Sequence, residues 1–454
     1  MSRPHDGLEH DVLDPPHVAL AEAGSFTLTT APAASANETK QQTEPRSRRR
    51  VFRPEKFVYR TAGLPVALRI AASQDQNCPL DRAFIREFWR PRHLNMWLEL
   101  IAAMILLPLT VPAALIGTTF RYGPTVRRRT GRSIRAQMRD QFRLYFSSGI
   151  LPPWYYLFEL YRDPSNATGR SYLNRFQTDG GVYLLTRGPS PTPLNDKKRF
   201  ADHCAANGVR HVPYLLYLDG SQNSGSLPDI DLFIKPATGR GGKGTQRWTL
   251  AGKGTFSSPS HQHVGKELLL ERLISTAAQR PLLVQPRLRA HRAFSSLSNG
   301  ALSTVRVVTC LDEFGDPEVV EALFRMAQGN RSIVDNFHAG GLAAAVSLDD
   351  GRLGQASGQD SRCDWVSKHP DTHAQIEGFE LPLWLETKEL AINAHQAFAD
   401  RKIIGWDIAI TDDGPVIVEG NSSPDLDMHQ RVRRRGLRQS RLASLLAHHL
   451  AARV

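Results

Sequence analysis

The sequence predicts an α+β protein preceded by a helical, partly membrane-associated N-terminal region. Two observations lead there. From about residue 180 to 425, short strand-like runs alternate with a few helical ones, several of them paired around turn signals. Upstream, Leu100 to Phe120 is a run of 21 residues without a charge, which as a helix covers roughly 30 Å, the thickness of a bilayer core.

With 454 residues, the chain is long enough for two or three packed units. Its 41% hydrophobic and 22% charged residues are ordinary globular usage, which excludes wholesale disorder and a polytopic transporter. The 57 Lys and Arg outnumber the 45 Asp and Glu, and the resulting +12 favours anionic partners without naming one. Cys78, Cys204, Cys310 and Cys363 form no CxxC pair, against both a zinc site and a disulfide framework. Residues 1–50 hold a single Phe and no Ile, Trp, Tyr or Cys. Such a segment buries too little to offset its ordering entropy and reads as a disordered tail, without the apolar region of a secretory signal.

Residues 51–129 form the helical region, with the membrane-associating segment at 96–120. Pro108 and Pro112 sit near its centre, and arginines flank both ends: Arg86, Arg90 and Arg92 before, Arg121 and Arg127 to Arg129 after. Basic flanks on both sides suit a bent, re-entrant hairpin or an interfacial helix better than one crossing. A pair of buried helices broken at the prolines is the bland alternative. Arg121 to Arg139 holds seven arginines and no acid, a polybasic surface for lipid headgroups or a plain solvated face. Residues 154–161, WYYLFELY, read as an aromatic core helix, and 429–454 as a basic C-terminal helix. The arginines of that helix and of 121–139 together exceed the net charge, which places the excess on a surface leaning toward an acidic membrane face.

Within 130–428, the strand-like run at 231–236 leads into Gly239, Gly241, Gly242 and Gly244, followed by a second strand-like run, TQRWTL. The spacing matches a dinucleotide fingerprint, but that fingerprint opens a helix and this loop opens a strand. Lys243 is followed by Gly244, so it is no Walker A loop either. A glycine turn between antiparallel strands makes a flap whose backbone N–H groups close over phosphates, with Lys235 as a fixed cation beside it. An ordinary glycine-rich hairpin is the competing reading.

IGWDIAI (404–410) and PVIVEGN (415–421) flank a turn at Thr411–Gly414. A turn centred on Asp413 sets Asp407 opposite Glu419, with Asn421 on the same face and Trp406, Ile408, Val416 and Val418 on the other. Two facing carboxylates repel unless a cation lies between them, and an all-oxygen set suits Mg²⁺ or Mn²⁺ on a nucleotide phosphate. A second hairpin, 302–310 with 319–326, sets Arg306 opposite Arg325. That pair calls for an anion between the guanidiniums, or for a nearby acid on each.

Lys197 in NDKKRF, Lys235 in FIKP with GRGGKG, LLVQP at 282–286, Arg306 in TVRVVT, VDNFHAGG at 334–341, GWDIAI and VIVEGNSSPD together resemble the ATP-grasp superfamily. The resemblance is nearest to its sugar-transfer-associated branch, related in sequence to α-L-glutamate ligases, and covers about 130–428. It implies an ATP-grasp fold: two α+β subdomains gripping ATP, a glycine-loop one at about 196–280 and a metal-binding one at about 281–428. It further implies that Lys197 and Lys235 bind ATP phosphates under the loop Gly239–Gly244, and that Val284, Gln285 and Leu288 line the adenine pocket. Arg306 would hold the transferring phosphoryl or acyl phosphate, with Arg325 beside it. Asp407, Glu419 and Asn421 would hold two magnesium ions, and Asp335, Asn336, Gly340 and Gly341 match a pattern of the branch. Gln285 stands where many ATP-grasp ligases have a glutamate.

The reading is a carboxylate–amine ligase that makes an amide and ADP through an acyl phosphate, so no side-chain nucleophile is needed. The branch suggests a sugar-linked or polysaccharide-precursor substrate at the cytoplasmic membrane face. A sugar-hydroxyl kinase would use the same nucleotide site, and a membrane-tethered ATP-binding subunit without turnover is the non-enzymatic rival. No RNP, helix-turn-helix or zinc spacing supports nucleic-acid binding.

Overall fold

Two antiparallel six-stranded sheets carry the candidate site, and helices from both ends of the chain pack around the larger one. The computed structural model describes residues 79–85, 94–186, 192–221, 225–239, 242, 244–297, 301–328, 340–359 and 362–452. All belong to one unit, Arg53–Val454. The tail at 1–50, Cys78, the arginines at 86, 90 and 92, Gly241, Lys243, Asp335 and Asn336 lie outside the described residues.

The helical region contains α1 (Pro79–Phe84), α2 (Leu94–Thr130), α3 (Ile134–Ser148), α4 (Pro152–Leu157), α5 (Asn166–Ser171) and α6 (Arg175–Thr186). The apolar run is one continuous helix through Pro108, Pro112 and Pro124, not a re-entrant hairpin. Val111, Leu115, Thr119 and Val126 recur on one side and are buried. That side is fixed to α3 by polar contacts: Gln141 Nε2 donates to Thr119 Oγ1 (2.8 Å), Thr118 Oγ1 donates to Gln141 Oε1 (3.0 Å) and Gln137 Nε2 donates to the Gly123 carbonyl (3.2 Å). Ser133 caps α3 at its N-terminus and Gly149, at φ +70°, ends it. The aromatic run 154–161 is helical only to Leu157, because Glu159 turns to φ +53°; Tyr155, Tyr156, Phe158 and Tyr161 are nonetheless buried.

The smaller sheet follows α7 (Lys197–Ala206). It comprises β1 (Leu216–Leu218), β2 (Leu232–Pro236), β3 (Gln246–Gly252), β4 (Thr255–Ser257), β5 (His263–Gly265) and, after α8 (Lys266–Ala277), β6 (Leu282–Pro286). Its order is β1-β6-β2-β3-β4-β5, so β6 completes this sheet and the subdomain border lies beyond Pro286, not at 280. Leu232, Ile234, Trp248 and Val284 pack against Leu269 and Leu273 of α8.

The larger sheet, in the order β10-β9-β8-β7-β11-β12, is built from β7 (Thr304–Leu311), β8 (Pro317–Met326), β9 (Leu342–Val346), β10 (Leu353–Ser357), β11 (Ile403–Thr411) and β12 (Gly414–Asn421). Every residue of β7 and β11 is buried. On one face Val305, Phe324, Trp406 and Ile408 pack against Trp384, Ala391 and Ala394 of α9 (Trp384–Ala397). The other face carries Arg306, Glu321, Arg325, Asp407 and Glu419 and is partly covered by α10 (Leu426–Arg433), whose Met428 and Val432 meet Leu323 and Ala343.

The C-terminal segment is two helices, α10 and α11 (Arg441–Ala451), rather than one. Several of its arginines are tied into the fold, while Arg434 and Arg435 are exposed. Arg431 is 1% exposed and pairs with Glu159 at 3.0 Å, Arg433 pairs with Glu321 at 2.5 Å, and Arg441 pairs with Glu313 and Glu318 at 2.6 and 2.7 Å. α10 is held from the helical region as well. Trp154 Nε1 and Arg175 Nη1 each donate to Asp427 Oδ2 at 2.9 Å, and Gln430 exchanges hydrogen bonds with the backbone of Leu173.

Candidate active site

Lys197 starts α7 because Asp196 caps the helix, its Oδ1 accepting from the backbone of Lys198 and Arg199 at 3.0 and 3.1 Å. The Lys197 amide then donates to the Ala237 carbonyl (3.0 Å) and its ammonium to the Gly239 carbonyl (2.9 Å). The glycine loop is thus anchored at its base, and Arg280, absent from the sequence expectations, holds it from the other side through the Thr238 carbonyl. Gly239 lies at φ +114°, and a Cβ there would come within 2.1 Å of the Arg280 guanidinium. The backbone conformation is one that glycine adopts at no cost and other residues resist.

Lys235 lies on β2, pointing away from the core formed by Leu232 and Ile234. It is 6% exposed and, among the described residues, its ammonium makes no hydrogen bond or ion pair. Burial pushes its pKa down to about 8; the Glu419 carboxylate opposes this, Lys197 adds to it and Asp407 opposes it more weakly. Lys235 of the small sheet therefore feels the carboxylates of the large one.

Asp407 pairs directly with Glu419 across β11 and β12, as the sequence predicts, but by a different route. The turn is centred between Asp412 and Asp413, since Thr411 pairs with Gly414 and Ile408 with Ile417. A bulge then inserts Val418 and restores Asp407 to Glu419. The off-centre turn sets Val416 against Ala409, and with the bulge at Val418 it takes both valines off the Trp406 and Ile408 side. They join Val212, Ala409, Leu288 and Leu302 in an apolar cluster, and Ile417 takes the core position.

Arg306 and Arg325 are not cross-strand neighbours. Thr304 faces Arg325 and Arg306 faces Leu323, because the turn is centred on Phe314, with Leu311 facing Pro317, and the bulge between Val308 and Thr309 makes up only one residue of the offset. What reconciles the two guanidiniums is Asp407. Arg306 grips its carboxylate through Nε and through Nη2 (3.0 Å), and Arg325 Nη2 reaches Oδ2 at 2.9 Å. Burial raises the Asp407 pKa, but Arg306 and Arg325 overcome it and hold the carboxyl well below the usual range. Arg306 also donates to the Pro424 carbonyl (3.3 Å), in a loop passing over Gly405, where a Cβ would lie 3.0 Å from Pro424.

At the hinge, Gln285 Nε2 donates to the carbonyls of Val212 and Pro213 at 3.1 and 3.3 Å. The same segment bonds to both sheets, Val212 N to Ile417 O (3.0 Å) and Leu215 N to Val284 O (2.7 Å). Gln285 thus ties down the strap between the sheets. Val284 is fully buried in the small sheet's core, so its side chain lines no pocket, whereas Leu288 belongs to the apolar cluster between the sheets.

The donors expected for magnesium are hard oxygens on one hairpin face, with Asn421 Nδ2 3.5 Å from Glu419 Oε1. No group of three or more His, Cys, Asp or Glu side chains forms a metal cluster among the described residues, and both Asp407 oxygens already meet guanidiniums. The set fits in chemistry, with Glu419 and Asn421 half-buried and available and Asp407 sharing its oxygens.

Behind Arg306 lies a group the sequence did not single out. His429 on α10 is fully buried, with both ring nitrogens lacking a hydrogen-bond partner among the described residues, 3.9 Å from Glu321. Burial, then Arg306 and Arg433, lower its pKa to about 3. Burial raises that of Glu321 to about 7 against the pull of Arg433. No motif marks either residue; only the packing of α10 brings them together.

Two sheets meeting at a cationic glycine loop and a carboxylate hairpin form an ATP-grasp fold. Residues 192–445, more than half of the chain, match the family described as sugar-transfer associated ATP-grasp, and the protein belongs to that family. Among solved structures, the D-alanine-D-alanine ligase from Coxiella burnetii aligns at 11% identity over 57% of this chain and 58% of that one, with a TM-score of 0.33. The L-amino acid ligase from Bacillus licheniformis aligns at 12% over 55% and 48%, TM-score 0.29. The N5-carboxyaminoimidazole synthase from Aspergillus clavatus aligns at 10% over 50% and 44%, TM-score 0.27. The chain spans about half the length of these relatives. Identities this low bear on fold alone, and scores this far below one half leave the family match to carry the assignment. No curated protein sequence matches the chain.

Proposed function

We propose that the protein is an ATP-dependent carboxylate–amine ligase that acts on a sugar-linked precursor at the cytoplasmic face of a membrane. The observation supporting this reading is the meeting of Lys197 from α7 and Lys235 from the small sheet with Asp407, Glu419, Arg306 and Arg325 from the large one. The apolar cluster of Val212, Leu288, Val416 and Val418 suits a purine ring. Lys197, Lys235 and the loop amides would hold the phosphates, and Glu419, Asn421 and Asp407 would hold magnesium, which supplies countercharge to the phosphate oxygens.

The γ-phosphoryl passes to a substrate carboxylate and ADP leaves. The amine nitrogen then attacks the acyl carbon, the C–O bond to phosphate breaks, and the proton lost from nitrogen leaves with phosphate or solvent. Arg306, oriented by Asp407, faces the charge that builds on the transferring oxygens, where fixed guanidiniums need no reorganisation. The sugar-linked acceptor rests on the family description. An ADP-release screen over carboxylate and amine pairs, with mass spectrometry of the products, tests the reading. An amide supports it, while a phosphate ester as sole product, or no ADP with any pair, overturns it.

A further inference from the structure

Helix α2 carries more exposed apolar surface than a water-facing helix tolerates, and it is arranged in a line. Leu94, Leu98, Ile105, Leu109, Ile116 and Phe120 are all at least 57% exposed, Phe120 reaching 86%. Their spacing alternates four and seven residues, an 11-residue repeat that makes almost whole turns of an α-helix, so the six side chains stay on one strip about 39 Å long. Trp97, Ile101 and Met104 flank it, each at least half exposed. The next position of the repeat is Arg127, exposed and followed by exposed Arg128.

By length and composition, Met104–Thr130 could cross a bilayer. Its other side argues otherwise. From Val111 to Val126 the opposite strip is bound to the protein body, with Gln137 and Gln141 hydrogen-bonded to Gly123, Thr118 and Thr119. A crossing helix would carry α3, with its exposed Arg135 and Arg139, into the hydrocarbon with it. A helix with protein on one side and an unbroken apolar strip on the other lies along an interface.

Charge selects the occupant. From residue 100 to 139 the chain has no acidic residue and seven arginines. A second copy would bring the same acid-free stretch to the contact, whereas anionic phospholipid answers both the strip and the arginines.

We propose that α2 docks in the plane of an anionic bilayer, its Leu94–Phe120 strip at the acyl boundary and Arg127 and Arg128 on lipid phosphates. This rests on the reading that the enzyme works at a membrane face and specifies how it is held there.

The test is co-flotation of the full-length protein with phosphatidylcholine vesicles, with and without phosphatidylglycerol. Binding should need phosphatidylglycerol, weaken with salt and be released by alkaline carbonate. The pair Arg127→Gln and Arg128→Gln should lower affinity on the order of thirty-fold, about five-fold per arginine. The pair Ile105→Asp and Leu109→Asp, or Phe120→Asp alone at the most exposed position, should abolish binding while leaving thermal unfolding unchanged. Carbonate-resistant binding would mean a crossing helix and overturns the in-plane docking. A concentration-dependent dimer without vesicle binding overturns it in favour of a second copy. Lack of ADP release from protein that still floats with vesicles would sink the ligase reading and leave the docking standing.

Discussion

Asp407 stands opposite Glu419 because β12 carries one residue more than its partner strand needs. Without Val418, the two-residue turn at Asp412 and Asp413 would still set Ile408 against Ile417, but an apolar side chain would be missing from the wall between the sheets. The bulge therefore keeps the carboxylates facing and adds Val418 to the cleft wall beside Val416, which the turn sets against Ala409. Four expectations follow from the site built on this hairpin.

Lys235→Ala should reduce ATP turnover by at least a hundredfold with an unchanged unfolding temperature, since the ammonium makes no structural hydrogen bond among the described residues. The pH dependence has a definite sign. With a pKa near 8 the ammonium is charged below that pH and neutral above it, so ATP affinity should fall as pH rises through 8. Calorimetry near pH 8 in buffers of different ionisation enthalpy should show proton uptake on binding; no uptake would count against Lys235 as a phosphate ligand.

Replacing Asp407 by Asn leaves two buried guanidiniums without their carboxylate. A loss of about 3–5 kcal/mol in urea unfolding is expected, the scale for breaking one partner of a buried ionic group. Because the carboxyl is held low in the folded state, this stabilisation is complete above the unfolded carboxylate pKa and is lost as pH falls through the lower folded one. A variant as stable as wild type at neutral pH would refute the assignment.

Gly239→Ala should raise the KM for ATP by tenfold or more and leave global stability within about 1 kcal/mol. The residue sits at φ +114° against Arg280, in a loop outside either core, so the strain falls on the shape of the loop. Steady-state kinetics beside a thermal melt separates the two effects.

Glu321→Gln tests the buried group behind Arg306. With its pKa raised to about 7, Glu321 favours the folded state fully below the unfolded glutamate pKa, and that contribution disappears as pH climbs through 7. Wild type should therefore lose about 2 kcal/mol between pH 5 and pH 8 that the Gln variant keeps. Parallel pH slopes for the two proteins would contradict this.

What the sequence made legible was local. Alternation and turn residues located β2, β3, β6, β7, β8, β11 and β12 to within a residue or two, and the combination of lysines, loop and hairpin pointed to the family. What it missed depends on insertions and on distant partners. Counting outward from a turn depends on where the turn is centred and on regular pairing: a turn centred on Phe314 separated Arg306 from Arg325 and the bulge at Val308 and Thr309 recovered only part of the offset, whereas for Asp407 and Glu419 an off-centre turn and a bulge cancelled. The anion expected between the arginines is a side chain a hundred residues away. Arg431, Arg433 and Arg441 looked like unpaired surface charge because Glu159, Glu313, Glu318 and Glu321 are remote in sequence. Period alone could not tell one helix through Pro108 and Pro112 from two, since proline at exposed positions is tolerated when packing elsewhere holds the helix.

Helix α10 sets a lower limit on how much of this chain can fold. The family match begins at residue 192, yet Asp427, Gln430 and Arg431 take partners from Trp154, Glu159, Leu173 and Arg175. A fragment cut at the family boundary would strand a buried acid and a buried arginine beside the face that carries Arg306 and Asp407 and expose the side of α10 that now meets the helical region. The region upstream of the match is therefore part of the folding unit of the candidate site.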